Sequence, residues 1–218
     1  MAKLYFRYGA MNSGKSTLLL QVAYNYEERG MHVLLLKPGV DTKGEDEIVS
    51  RLGVRRRVDR TITKGTDCRV LVQEEIKKRP IDCILVDEAQ FLSRQHVEQL
   101  FTTVIDADIP CICYGLRTDF RGEGFPGSQR LLELAHSLEE LKTICHCGRK
   151  AIMNIRRVNG QTVFEGDQVC IDNSATIEYE AVCGQCFLAE RRKRGEVPLA
   201  SLKADFSFTD EKHEKHGV

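Results

Sequence analysis

The sequence lacks three features, and each absence argues against a class of protein. It has no run of about 18 apolar residues, so we expect no segment to span a membrane. Its formal net charge is zero, with 32 Lys and Arg against 32 Asp and Glu, which argues against sequence-independent binding to nucleic acid. The N-terminal stretch MAKLYFRYGA lacks the hydrophobic region of a signal peptide, so we expect a cytoplasmic protein.

Cysteine, in contrast, is abundant. The chain of 218 residues has nine cysteines, an odd number, and four of them stand in two close pairs late in the sequence. This pattern favours a metal site in a reducing compartment over a disulfide framework. The other five lie in or near apolar runs and are predicted to be small core residues: Cys68, Cys83, Cys111, Cys113 and Cys170.

Strand-like apolar runs alternate with helical segments over the first two thirds of the chain, which predicts an α/β fold with a parallel sheet flanked by helices. The predicted strands are 3–11, 32–38, 82–88 and 109–116, and the predicted helices are 14–30, 69–79, 93–107 and 127–135. We predict a mobile loop region with at most a short strand for residues 39–67. Residues 138–145 are predicted to lead out of the domain.

The pattern changes near residue 145. Apolar and polar residues alternate on both sides of Asn159-Gly160, a strong signal for a two-residue hairpin turn, and a helical segment follows at 185–195. We therefore predict three parts: an α/β domain over 1–144, a small β-rich domain over 145–194, and a disordered tail over 195–218.

The stretch GAMNSGKS matches the phosphate-loop pattern G-x-x-x-x-G-K-[ST] and lies between a predicted strand and a predicted helix, the context that this motif requires. Backbone N–H groups of such a loop converge on phosphate oxygens. Its lysine reaches the β- and γ-phosphates, and its serine binds Mg²⁺. The residues predicted to bind ATP and Mg²⁺ here are Gly9, Ala10, Met11, Asn12, Ser13, Gly14, Lys15, Ser16 and Thr17.

Two acids end the predicted strand in CILVDEAQF. Asp87 is predicted to hold the Mg²⁺ shell, through water. Three roles remain open for Glu88. It would orient a water in an ATPase, accept a proton from a substrate hydroxyl in a small-molecule kinase, or serve as a structural carboxylate.

The two cysteine pairs are Cys145 with Cys147, and Cys183 with Cys186. Two thiolate pairs held apart by a β-unit predict a closed, tetrahedral, structural zinc site. The spacing of the first pair is tighter than the usual C-x-x-C, and His146 between its members is an alternative ligand. Four free, partly buried thiols are the other interpretation.

Four segments together resemble the type II thymidine kinases, the bacterial and cytosolic-type family: GAMNSGKST, VDEAQFL, YGLRTDFRGEGFPGS and the four-cysteine module. Their order and spacing agree from about Lys3 to about Arg191. The resemblance implies transfer of the γ-phosphoryl group of ATP to the 5′-hydroxyl of thymidine or deoxyuridine, giving dTMP and ADP in nucleoside salvage and DNA precursor synthesis. It also implies Mg²⁺, structural Zn²⁺, a homotetramer and feedback inhibition by dTTP, without a nucleic-acid or membrane partner.

The resemblance also assigns residues. Glu88 matches the general base, Lys15 is the second catalytic residue, and Asp41, Asp87, Ala89 and Gln90 stand with the nucleotide. A lasso loop, roughly 163–179, closes over the nucleoside in the family, and this chain has Asp172-Asn173 there in place of two glycines. Near the nucleotide, Lys43 stands in place of the arginine that often follows the family aspartate matched by Asp41. The positions that match the nucleoside site are Met11, Phe91, Leu116, Phe120, Phe125, Gln168, Val169, Cys170, Ile171, Asp172 and Tyr179.

Two other functions remain as alternatives. A zinc-containing P-loop ATPase acting on nucleic acid would use the basic run RLGVRRRVDR, with Arg117 or Arg121 as an arginine finger. A non-catalytic, nucleotide-sensing zinc protein would bind ATP without turning it over. ATP turnover that depends strictly on added thymidine separates the three.

Overall fold

The computed structural model describes residues 1–39, 47–168 and 176–195, which form thirteen strands and five α-helices. The strands are β1 (Leu4–Tyr8), β2 (Val33–Pro38), β3 (Glu47–Val49), β4 (Arg55–Arg57), β5 (Arg60–Ile62), β6 (Cys83–Val86), β7 (Cys111–Gly115), β8 (Ser137–Glu140), β9 (Thr143–Ile144), β10 (Lys150–Ala151), β11 (Met153–Val158), β12 (Gln161–Val163) and β13 (Ile177–Val182). The helices are α1 (Lys15–Glu27), α2 (Cys68–Lys78), α3 (Arg94–Ala107), α4 (Pro126–Leu134) and α5 (Gly184–Lys193), and a 3-10 turn covers Ala89–Phe91.

A six-stranded sheet in the order β5-β2-β6-β7-β1-β8 organises the first part of the chain, and every pairing in it is parallel. Helices follow the strands, as the alternating pattern predicts, so the predicted α/β class is confirmed. In the described ranges, no helix combines the length and the apolar character that crossing a membrane demands.

The two faces of this sheet carry separate cores, because successive side chains of a strand point to opposite faces. On β2, Leu34 and Leu36 pack in the core that α2, α3 and α4 cover. Val33 and Leu35 pack in the core that α1 covers. Burial on both faces explains why the central strands are nearly continuous apolar runs.

Two expectations about the edges of the sheet are wrong. Residues 138–145 do not simply lead out of the domain, since β8 pairs in parallel with β1 from Tyr5↔Ser137 to Tyr8↔Glu140. The region 39–67 holds three short strands rather than a loop with at most one, and β5 forms the opposite edge by pairing with β2. Both edge strands are short, and β8 has two acids among its four residues. Short and charged strands protect the edges of a sheet, but they give little hydrophobic pattern from which a strand could be predicted.

The second part of the chain is a small antiparallel structure around β11. β12 and β13 flank this strand, and Asn159 and Gly160 form the predicted turn with φ of 50° and 78°. Ile155, Phe164 and Phe187 lie in its core, beside the cysteine pairs. The middle of the predicted lasso, residues 169–175, and all of the predicted tail after Gly195 fall outside the described residues.

Local signals within the described elements behave as predicted. The Ser93 hydroxyl accepts a hydrogen bond from the His96 amide at 3.1 Å and caps α3. The predicted core cysteines that the structure describes are fully buried: Cys68, Cys83, Cys111 and Cys113. Cys170 lies outside the described residues.

Candidate active site

The loop between β1 and α1 has the shape that a phosphate site requires. Asn12 and Gly14 have left-handed backbones, with φ of 65° and 79°, and α1 begins at Lys15 with no side chain capping its N-terminus. A Cβ atom on Gly9 would lie 2.6 Å from the carbonyl oxygen of Leu141, so only glycine fits there. The uncapped helix N-terminus leaves backbone N–H groups available for an anion.

Lys15 is held inside this loop. Its Nζ donates hydrogen bonds to the carbonyl oxygen of Ala10 at 2.9 Å and to the Ser13 hydroxyl at 3.4 Å. Burial lowers the pKa of Lys15, and the carboxylates of Glu88 and Asp87 act against that shift. A desolvated ammonium group in this position favours an incoming anion.

Ser16 and Asp87 meet across the loop. The Ser16 hydroxyl donates to Asp87 Oδ2 at 3.3 Å, and Asp87 follows β6 with only 4% of its surface exposed. Burial raises the pKa of Asp87 to about 7, and the Glu88 charge adds to the shift. A hydroxyl and a carboxylate oxygen side by side are the kind of ligand that Mg²⁺ prefers.

Glu88 is positioned by Gln90. Glu88 has a left-handed backbone, with φ of 49°, at the start of the 3-10 turn. Its Oε2 accepts a hydrogen bond from Gln90 Nε2 at 2.5 Å, while Gln90 Oε1 accepts the Leu116 amide at 3.0 Å. The Gln90 side chain is 1% exposed, and both its nitrogen and its oxygen are hydrogen-bonded. It therefore fixes the Glu88 carboxylate relative to the chain segment that follows β7.

A cleft of about 680 Å³ brings these groups together. It is lined by loop and α1 residues, by Glu88 and Leu116, and by the β3–β4 hairpin: Met11, Asn12, Gly14, Lys15, Ser16, Thr17, Leu18, Gln21, Val49, Arg51, Leu52, Glu88 and Leu116. The candidate base, the candidate phosphate lysine and two of the predicted nucleoside residues therefore share one cavity. Ala89 is fully buried beside it.

Three of the predicted nucleoside residues are phenylalanines, and none of them is among the residues that line the cleft. The rings of Phe91 and Phe125 meet edge to face, with centroids 5.6 Å apart. Phe120 is 1% exposed, and the Arg156 guanidinium lies over its ring at 3.8 Å. Such flat apolar surfaces suit a nucleobase.

The two ends of the predicted lasso lie near Phe120. Gln168 donates to the buried Asp119 carboxylate at 3.1 Å. Tyr179 on β13 lies opposite Arg156 on β11, so the two side chains share a face of that sheet. The other lasso residues, Val169, Cys170, Ile171 and Asp172, lie outside the described residues, as does Asp41.

The four late cysteines form one cluster. The sulfur atoms of Cys145, Cys147, Cys183 and Cys186 all lie within 4.8 Å of one another, with Cys147 at 3.5 Å from Cys145 and 3.6 Å from Cys183. Metal–sulfur bonds of 2.3 Å in a tetrahedron place the sulfurs about 3.8 Å apart, so the cluster can hold a metal ion.

The pKa shifts of two of these thiols agree with a metal site. Hydrogen bonding by the Arg149 backbone lowers the pKa of Cys147 to about 6, whereas the contact with Cys147 raises the pKa of Cys186 to about 12. Four adjacent thiolates repel one another, so full ionisation needs a compensating cation. His146 points one ring nitrogen at Glu180, at 2.8 Å, and the other at Cys186, at 3.5 Å, and so lies beside the cluster.

Comparison of the sequence with known proteins shows which family this chain belongs to. The model of the family described as "TK: Thymidine kinase" matches residues 2–187. The thymidine kinase of Legionella pneumophila strain Philadelphia 1 is 50% identical over 206 residues, covering 93% of this chain and 96% of that protein. That of Rhodopirellula baltica is 47% identical over 209 residues, covering 94% and 97%. The chain belongs to the thymidine kinase family.

One further relative and one solved structure were also compared. The thymidine kinase of Jannaschia sp. strain CCS1 is 47% identical and is covered over its whole length. Among solved structures, the ATPase DotB of Legionella pneumophila is similar with a TM-score of 0.35 and 14% identity, covering 89% of this chain and 52% of that one, a likeness too weak to say more. Membership in the thymidine kinase family confirms the resemblance seen in the sequence, and a kinase with this phosphate loop uses ATP.

Asn154 lies at the site of this thymidine kinase family member but was not predicted from the sequence. Its Oδ1 accepts the Met11 amide at 2.7 Å, its Nδ2 donates to the Thr118 carbonyl at 3.1 Å, and it is 3% exposed. Asn154, which lies on β11, thereby links the phosphate loop to the chain segment that follows β7. A polar residue in an otherwise half-buried strand was the one local signal.

Arg51 and its neighbours were also missed as lining residues of the cleft. From the sequence, only a basic run was evident there, and the first part of that run forms the turn and the second strand of the β3–β4 hairpin. The two arginines considered as fingers have other contacts, because Arg121 pairs with Asp119 and Glu123 at 2.9 Å each and Arg117 lies 6.0 Å from the Tyr8 ring.

Proposed function

We propose that the protein transfers the γ-phosphoryl group of ATP to the 5′-hydroxyl of thymidine, and to that of deoxyuridine, in nucleoside salvage. The observation that supports this most is the shared cleft, in which the Glu88 carboxylate, the Lys15 ammonium group and Leu116 line one cavity. A carboxylate tied to Gln90 in a cleft with a phosphate loop suits a proton acceptor for a bound hydroxyl.

The donor phosphates lie on the loop, where backbone N–H groups and the N-terminus of α1 bind their oxygens. Lys15 neutralises charge on the β- and γ-phosphates. Ser16 and Asp87 would hold Mg²⁺, which offsets the charge of the transferring group when it is bound. Asp87 must be ionised to do so, and the positive charge of Lys15 and of the metal favours that form.

The acceptor hydroxyl then faces Glu88. Glu88 takes its proton as the oxygen attacks the γ-phosphorus, and ADP leaves in line. Gln90 holds the carboxylate in place through its hydrogen bond, and the Leu116 amide holds Gln90. Positioning and charge stabilisation supply most of the catalysis in this class of reaction.

The nucleoside occupies the apolar side of the cleft. Met11, Phe91, Leu116, Phe120 and Phe125 wall the base and sugar. The lasso closes over them and binds the edge of the base through Gln168, Val169, Cys170, Ile171, Asp172 and Tyr179. Ala89 and Gln90 complete the nucleotide site with Asp41.

The four cysteines would hold a structural Zn²⁺, which would anchor both ends of the segment that carries the lasso. Four thiolate ligands would leave no open position for water or substrate, so the metal would have a structural role only. The chain divides into a kinase domain over 1–144, a zinc domain over 145–194 and a tail over 195–218. The cytoplasmic enzyme is a homotetramer that dTTP inhibits.

Labelled phosphate transfer tests the proposal directly. The protein, MgATP labelled at the γ-position and a panel of nucleosides are incubated, and the products are separated. We expect label in thymidine and deoxyuridine monophosphates and none in purine nucleosides. ATP hydrolysis without any labelled nucleoside, stimulated by added nucleic acid, would instead support the ATPase alternative.

A further inference from the structure

The β3–β4 hairpin is firmly attached to α1. Ile48 is 1% exposed and packs in the same core as the buried residues of α1. Arg56 donates to both oxygens of Glu27 on α1, at 2.7 and 2.5 Å. The turn is closed by the Ser50 amide, which donates to the Val54 carbonyl at 2.8 Å. The tip of the hairpin is therefore held in a fixed place relative to the phosphate loop, which leads into the same helix.

That tip reaches the ATP cleft. Val49, Arg51 and Leu52 line the cavity together with Lys15 and Glu88. The Arg51 charge is close enough to act on Lys15, where it lowers the pKa in the same direction as burial does. Two cations therefore face the same cavity from two elements.

Arg51 differs from Arg55 and Arg56 in its contacts. Arg55 pairs with Glu47 at 3.8 Å, and Arg56 pairs with Glu27. Within the ranges that the structure describes, Arg51 is exposed and forms no ion pair or hydrogen bond with any residue. A guanidinium that shares a cleft with a second cation, and that has no carboxylate partner among the described residues, is suited to a ligand with several negative charges.

We propose that Arg51 is a further catalytic residue, whose guanidinium binds the terminal phosphates of ATP from the side opposite the phosphate loop. Its planar fork matches phosphate oxygens in two-point contacts, and an arginine supplied by the same chain stabilises charge on a transferring phosphoryl group. The inference rests on the proposed function in that it takes ATP as the donor, but it does not depend on which hydroxyl accepts the phosphate.

The test compares Arg51→Gln with Arg55→Gln, a matched change on the same hairpin at an arginine that does not line the cleft. Binding of MgATP and of AMP is measured by titration calorimetry without thymidine, and kcat with thymidine is measured separately. For Arg51→Gln we expect MgATP affinity to fall by roughly 10- to 100-fold, the usual effect of losing charge-assisted hydrogen bonds. AMP affinity and the KM for thymidine should stay within about twofold, and kcat should fall.

Arg55→Gln should match the unmodified protein in every readout, because an exposed ion pair contributes little. Equal losses for MgATP and AMP in Arg51→Gln would indicate a disturbed hairpin and overturn the proposal, as would unchanged MgATP affinity. Arg51→Lys keeps the charge but loses the fork, and we expect it to recover part of the affinity. Should the protein bind MgATP but never phosphorylate thymidine, the proposed function fails while the binding comparison still decides the role of Arg51.

Discussion

Replacing Asn154 with alanine should damage both the stability of the fold and the phosphate loop. The substitution removes the partners of two partly buried backbone groups, the Met11 amide and the Thr118 carbonyl. An unsatisfied buried group costs about 1–3 kcal/mol, so the two together cost about 2–6 kcal/mol of unfolding free energy. For a chain of this size each 1 kcal/mol lowers Tm by roughly 2–4 °C, so that loss lowers Tm by roughly 4–24 °C.

The loss of the Met11 contact should also weaken ATP binding. Met11 lies inside the phosphate loop, and fixing the backbone of one released residue costs about 1–2 kcal/mol. That cost corresponds to a roughly 5- to 30-fold weaker ATP affinity, which titration calorimetry on the folded variant can measure below its Tm.

Thr162→Val is the matched control. Thr162 is also buried in the sheet around β11, but its hydroxyl donates to Glu190 Oε2 at 2.8 Å, and Thr162 lies opposite Arg157, on the face of β11 that Asn154 does not share. The control should lower Tm without changing ATP affinity. An Asn154→Ala variant that is destabilised yet binds ATP as well as the control would refute the link between Asn154 and the loop.

Three further predictions test the site. Glu88→Gln keeps the size of the side chain and removes the base, so turnover should fall roughly 10²- to 10⁴-fold while ATP binding persists, and near-normal kcat would remove Glu88 from the mechanism. Lys15→Ala should abolish detectable phosphoryl transfer with an unchanged circular dichroism spectrum, because the γ-phosphate loses its main cation. A folded Lys15→Ala variant with substantial activity would show that the loop is not the catalytic phosphate site. Cys183→Ser should lower Tm and weaken thymidine binding more than ATP binding, since a metal bound by the cysteine cluster would anchor the lasso segment. Metal analysis of the active, chelator-free protein should give about one zinc per chain, and a content well below that would contradict the structural site.

The phosphate loop and the central strands could be predicted because their signals are local. Glycine and lysine at fixed spacing, between an apolar strand and a helix, define the loop without any distant contact. The buried strands are continuous apolar runs because both faces of the sheet are covered. The cysteine cluster was likewise predicted from pair spacing, and the sulfur positions agree with it.

The parts that were missed depend on contacts far apart in the chain or on patterns without apolar character. Asn154 and Met11 are separated by 143 residues, so no local pattern could link them. β8, with the sequence SLEE, joins the sheet through backbone hydrogen bonds to β1 and has little apolar character to reveal it. Glu88 adopts a left-handed backbone that a non-glycine residue rarely takes, and its hydrogen bond with Gln90 follows from that turn.

The most direct test of the central claim is whether ATP consumption depends on the nucleoside. ADP formation by the purified protein is measured with MgATP alone and then after addition of thymidine, and dTMP is measured in the same sample. We predict negligible ADP without thymidine and one dTMP formed for about every ADP when thymidine is present. Sustained ADP formation without thymidine, or ADP formed with thymidine but without matching dTMP, would contradict the assignment of Glu88 and its cleft to phosphoryl transfer onto a nucleoside.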